Sequence, residues 1–93
     1  MYLGFDYNEE KNQLLKKTRG ISFEEVIEAI GNEKLLANLP HFLKGKYKDQ
    51  FLFVVEINKY IYVVPYVKDK AKKVYFLKTI YPSRKFTKLY LKK

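Results

Sequence analysis

Residues 70 to 93 hold nine basic side chains (Lys70, Lys72, Lys73, Lys78, Arg84, Lys85, Lys88, Lys92 and Lys93) and no acidic one. In residues 1 to 69 ten basic side chains cancel ten acidic ones, so the formal charge of +9 belongs to the C-terminal third. A field of one sign on part of a small domain attracts polyanions, nucleic acid above all. The side chains suit phosphate chemistry. The Arg84 guanidinium can hold two phosphate oxygens at once. Lys85 and Lys88 can place a phosphate backbone without reading its bases, or simply keep a helix face soluble. Lys78 sits between apolar neighbours in a strand-like stretch, where it is a candidate base or an exposed strand lysine. His41 is the single imidazole, a candidate for proton transfer near neutrality or a structural histidine. Tyr81 and Tyr90 can stack on splayed bases or donate to phosphate, although Tyr90 also fits an apolar helix stripe.

Composition narrows the alternatives. Ninety-three residues make one domain, spanning 1 to 93, and 47% hydrophobic with 17% aromatic content argues for a packed core. Without cysteine, disulfides and thiolate zinc sites are excluded, and one histidine excludes a multi-histidine metal site. The acidic group Glu24, Glu25 and Glu28 could suggest Mg²⁺, but Glu25 is better explained as a helix cap and Glu24 and Glu28 as solvent-face residues. No metal or other cofactor is therefore expected. No apolar run reaches the ~20 residues of a membrane helix, and residues 1 to 6 lack a signal-peptide layout. The expectation is a cytoplasmic protein with no membrane partner. Seventeen lysines and nine tyrosines also suit a biased genome, but such a bias does not explain why acids vanish after Asp69.

The elements that must position these residues read as follows. Residues 2 to 6 suit a short strand. A helix follows, capped by Asp6 or Asn8, with acids in its first turn, bases in its last and Gly20 beyond its end. Ser22 and Glu25 form a capping box, with Ile21 and Val26 as its hydrophobic staple. Phe23, Val26, Ile27 and Ile30 continue as a helical stripe ended by Gly31 and Asn32. Residues 35 to 42 fit an edge strand or a loop around Pro40, and 44 to 49 a polar connection. Residues 50 to 57 and 60 to 67 flank Asn58-Lys59 as a β-hairpin, with Val55 opposite Tyr62 and Phe53 opposite Val64. Pro65 then needs a place that lacks a ladder hydrogen bond. A turn over 69 to 73 leads to a strand over 74 to 81. Ser83 caps a final helix from 84 to about 92 with an apolar stripe of Phe86, Leu89 and Tyr90. The expected fold is α+β: an antiparallel sheet of about four strands, two N-terminal helices and a C-terminal helix, with the helices largely on one face.

Two stretches resemble a known family. One is Phe5-Asp6-Tyr7-Asn8-Glu9-Glu10-Lys11-Asn12 with Lys17-Thr18-Arg19-Gly20-Ile21-Ser22-Phe23-Glu24-Glu25-Val26. The other is Ile80-Tyr81-Pro82-Ser83-Arg84-Lys85-Phe86-Thr87 with Tyr90. Together they resemble the BrnT-type toxins of bacterial type II toxin–antitoxin pairs, within the RelE-like ribonucleases. The resemblance implies a RelE-like fold and an endoribonuclease that slows translation. It also implies a small antitoxin partner whose DNA-binding part is often ribbon-helix-helix. Arg84 matches the arginine of the family's closing motif and Lys85 its second basic place. Arg19 stands where the family has histidine, and Pro82 where it has serine.

A metal-independent ribonuclease must deprotonate a 2′-hydroxyl, stabilise charge on the phosphorane and protonate the leaving 5′-oxygen. Arg84, Lys78 and His41 are the candidate catalytic groups. Lys85, Lys88, Tyr81 and Tyr90 are the candidate RNA contacts. Two other readings use the same surface: a nucleic-acid-binding module without catalysis, and an interaction protein whose aromatic hairpin adds a strand to a partner.

Overall fold

The computed structural model describes residues 4–43, 45, 46 and 49–91. After the short strand β1 (Gly4–Tyr7), Asn8 accepts the Lys11 N–H and opens helix α1 (Glu9–Arg19). Gly20 closes α1 at φ 65°, a backbone region that an L side chain resists. Ser22 and Glu25 form the full capping box of helix α2 (Phe23–Gly31). Ile21 and Val26, the staple pair, are both buried. One link was not read from the sequence. The buried Asn12 side chain accepts the Phe23 N–H at 2.8 Å and donates to Glu24 at 2.8 Å. It thereby satisfies one of the free N–H groups at the start of α2 and locks the two helices together.

Strands β2 (Leu35–Pro40), β3 (Phe51–Ile57), β4 (Tyr60–Asp69), β5 (Val74–Leu77) and β6 (Tyr81–Pro82) complete the sheet, and α3 (Arg84–Tyr90) ends it. Asn58 and Lys59 turn the hairpin at φ 53° and 62°, and Val55 pairs with Tyr62 and Phe53 with Val64 as expected. The spatial order is β1-β5-β4-β3-β2, with β6 also on β4. The fold is α+β, but among the described residues the sheet has six strands and is mixed, because β1 runs parallel to β5. The expectation of about four antiparallel strands missed that pair because its partners, Phe5 and Tyr75 among them, lie at opposite ends of the chain. β2 is an edge strand with Pro40 at its last position, where no ladder donor is required.

The expected strand over 74 to 81 is two strands, and Pro65 supplies the reason. Its carbonyl accepts the Lys78 N–H at 2.8 Å. A strand residue's N–H and C=O point to the same side, so the N–H that proline lacks is missing on this edge. The ladder breaks over residues 78–80. Three steps along β4, from Tyr66 to Val63, face four along the partner, from Leu77 to Tyr81, so one residue bulges.

Alternation along the strands separates two faces. Phe53, Val55, Val64, Tyr66, Leu77 and Ile80 pack with Leu15 of α1 and Phe23 and Val26 of α2 in one cluster. Leu52, Val54, Ile61 and Val63 are equally buried but stand outside that cluster, on the other face. Phe86 of α3 lines a cavity with Leu52 and Val63, so α3 lies on this second face. The helices therefore occupy both sides of the sheet, not largely one. The expected apolar stripe of α3 is also corrected: Phe86 is half-buried, but Leu89 is 63% and Tyr90 40% exposed. The helix is tied to the sheet through polar groups instead. Ser83 donates its N–H to Ile61, and the Thr87 hydroxyl accepts the Ile61 N–H at 3.0 Å. The start of the first expected strand and the end of the last helix, with Lys92, lie outside the described residues. Among the described residues no helix is long and apolar enough to cross a membrane.

Candidate nucleic-acid interface

The bulge at 78–80 decides which side chains meet. Without it, alternation would put Lys78 and Ile80 on one face. The extra residue instead returns Ile80 to the α1–α2 core beside Leu77 and moves Tyr81 to the α3 face, where Lys78 already stands by alternation from Leu77. Arg19, at the end of α1, donates from its guanidinium to the Ile80 carbonyl and so braces the break. Arg19 thus has a structural task.

On the α3 face Lys78 and Tyr81 line a cleft of about 390 Å³ with His41, Phe42, Gln50, Pro65 and others. A second cleft of about 420 Å³ adjoins it. Its walls include Leu39, Leu52, Val63, Ser83, Lys85 and Phe86, and it shares Phe42 and Tyr81 with the first. Among the described residues, no carboxylate lines either cleft. Three sequence-predicted residues from separate segments, His41, Lys78 and Tyr81, thus come together, and Lys85 stands in the adjoining space.

Each group has a defined state. Burial raises the Tyr81 phenol above the ordinary tyrosine pKa, so it remains a proton donor at neutral pH. The His41 Nδ1 accepts the Leu43 N–H at 3.1 Å, which leaves the proton of the neutral ring on Nε2. The imidazole is largely buried and lies 4.9 Å from the Phe42 ring. Lys78 is exposed, with its ammonium 5.6 Å from the centre of the Phe76 ring.

The remaining predicted residues are placed differently. Arg84, Lys88 and Tyr90 are exposed on α3 and line neither cleft. Lys78, Arg84 and Lys88 therefore do not share one concavity there. Lys70, Lys72 and Lys73 sit in the turn after β4, whose opposite end carries α3, a separation of roughly 30 Å along the strand. Lys72 is paired with Asp6 at 3.8 Å. The basic run in sequence is thus two basic regions in space. Sequence reasoning missed Phe42, which is 66% exposed, and the bracing role of Arg19. Phe42 had a legible signal, an aromatic next to the single histidine. Compared with known proteins, the chain matches no family model, no curated protein and no solved structure.

Proposed function

We propose that this chain is a metal-independent endoribonuclease with a RelE-like arrangement, acting in the cytoplasm as the toxin of a toxin–antitoxin pair. One observation carries the reading: an imidazole, an ammonium and a protonated phenol from distant segments line one carboxylate-free cleft. In this reading the 2′-oxygen attacks phosphorus and releases its proton to solvent. The Lys78 ammonium neutralises the charge that builds on the phosphorane, and Lys85 holds the adjoining phosphate. The Tyr81 phenol gives its proton to the departing 5′-oxygen and is reprotonated from water. His41 lines the same cleft as Lys78 and Tyr81. Arg84 and Lys88 serve as outer phosphate contacts. Cleavage rises with pH through neutrality and falls only above the ordinary tyrosine pKa, because burial raises that of Tyr81.

The test is incubation of the purified chain with single-stranded RNA in EDTA. The expected result is shortened RNA with cyclic 2′,3′-phosphate ends, with about 100-fold slower cutting in Tyr81→Phe. The reading is falsified if wild-type protein leaves RNA whole in every metal condition. Whole RNA with salt-sensitive binding would mark a non-catalytic nucleic-acid module.

A second reading rests on the exposed Leu89 and Tyr90 of α3. They form an apolar surface on which a small antitoxin, of the ribbon-helix-helix kind, would seat. Leu89→Lys should then abolish co-purification with that partner and leave RNA cleavage unchanged.

A further inference from the structure

We infer that Phe42 is a base-stacking platform that divides the groove into two nucleotide subsites and restricts it to single-stranded RNA. This rests on the RNA reading above and adds its substrate form.

Phe42 stands 66% exposed on a surface where an apolar ring gains nothing from water. Its ring is backed by His41 at 4.9 Å, which limits its freedom and leaves the rest of its surface open. It lines both clefts, and so does Tyr81. Each cleft falls in the range of ~300–1,000 Å³ usual for small-ligand sites. Lys78 lines one cleft and Lys85 the other, and neither is lined by an acid. The second cleft has an apolar floor of Leu39, Leu52 and Val63. A cation on each side of a shared aromatic matches the alternation of phosphate and base along a single strand. A duplex keeps its bases stacked on one another and offers Phe42 none.

The chain has no tryptophan, so Phe42→Trp installs a single indole reporter. Titration at low salt with an octa-adenylate RNA should quench its fluorescence. An abasic octamer of equal charge and an RNA duplex should not. Phe42→Ala, checked for an unchanged circular dichroism spectrum, should lose about 10-fold in octa-adenylate affinity and keep its affinity for the abasic octamer. An equal loss for both oligomers, or no loss for either, overturns the platform while leaving RNA binding in place. Wild-type protein that binds no oligonucleotide overturns the RNA reading and this inference with it. Quenching by an acidic amphipathic peptide and by no RNA would assign the groove to a protein partner, which also overturns it.

Discussion

Phe53 and Tyr66, on the side of the sheet under α1 and α2, stack with ring centres 3.8 Å apart. Leu52 and Val63, on the other side and just as buried, meet Phe86 across a cavity of about 420 Å³. The two faces differ in what covers them. α1 and α2 bring Leu15, Phe23 and Val26 fully into the core. α3 has seven residues, and none of them is buried. Its attachment runs through Ser83 and Thr87 to the edge at Ile61. One face holds the fold together, and the other leaves room for a ligand. Buried apolar strand residues alone therefore do not distinguish scaffold from site, because each face has them. The cover does.

The sharpest way to break this comparison is by truncation on each face. Phe53→Ala should cost about 4 kcal/mol in urea unfolding, from lost burial and the cavity it leaves. Phe86→Ala should cost about 1 kcal/mol, because its ring is only half-buried against an existing cavity. Equal losses would mean that α3 seals its face as firmly as the other helices do.

Asn12→Ala should destabilise by about 2 kcal/mol, leaving the buried Phe23 N–H without its acceptor. Arg19→Ala should cost about 1.5 kcal/mol through the Ile80 carbonyl. Only the Arg19 change should also weaken RNA binding, since Arg19 braces the break that sets Tyr81 beside Lys78. If the Asn12 variant weakens binding as much at matched folded fraction, the two faces are not separable.

Salt dependence sharpens the contrast between the two basic regions. Lys78→Ala and Lys85→Ala should each reduce the slope of log affinity against log salt by about 1. Lys72→Ala, at the far end of β4 and paired with Asp6, should leave that slope unchanged. A uniform response would show that the whole basic run acts as one field.

The smallest effect concerns acid. The hydrogen bond from Asn12 holds the Glu24 carboxyl below the ordinary glutamate pKa. A carboxyl lowered in the folded state adds stability that is present above its unfolded pKa and is lost as pH falls through the folded one. Wild-type protein should show this decline below the ordinary glutamate pKa, and Asn12→Ala should show less of it, because a backbone hydrogen bond and Lys16 still lower the carboxyl. An identical acid limb in both proteins would rule out the bond as the cause.

Much of the fold is legible because its determinants are local. The Ser22–Glu25 box lies within four residues, and the Asn58-Lys59 turn carries its own positive φ preference, which fixes the register of β3 and β4. The candidate site is legible only as a list. His41, Lys78 and Tyr81 were each recognisable by chemistry, but Tyr81 joins the other two only through the bulge opposite Pro65. Arg84, the strongest candidate by residue type, stands outside both clefts, because α3 turns its first residue away from them and presents Lys85 and Phe86.

By itself the chain's order of residues determined its caps, its hairpin, its helix and strand types and the sign of its charge. Those follow from backbone preferences and hydrogen bonds a few residues apart. The tertiary structure alone decided which cations share a cleft, which face stays open and where the parallel pair forms. These depend on register between segments dozens of residues apart, and there one missing N–H, at Pro65, is enough to move every following side chain to the other side of the sheet.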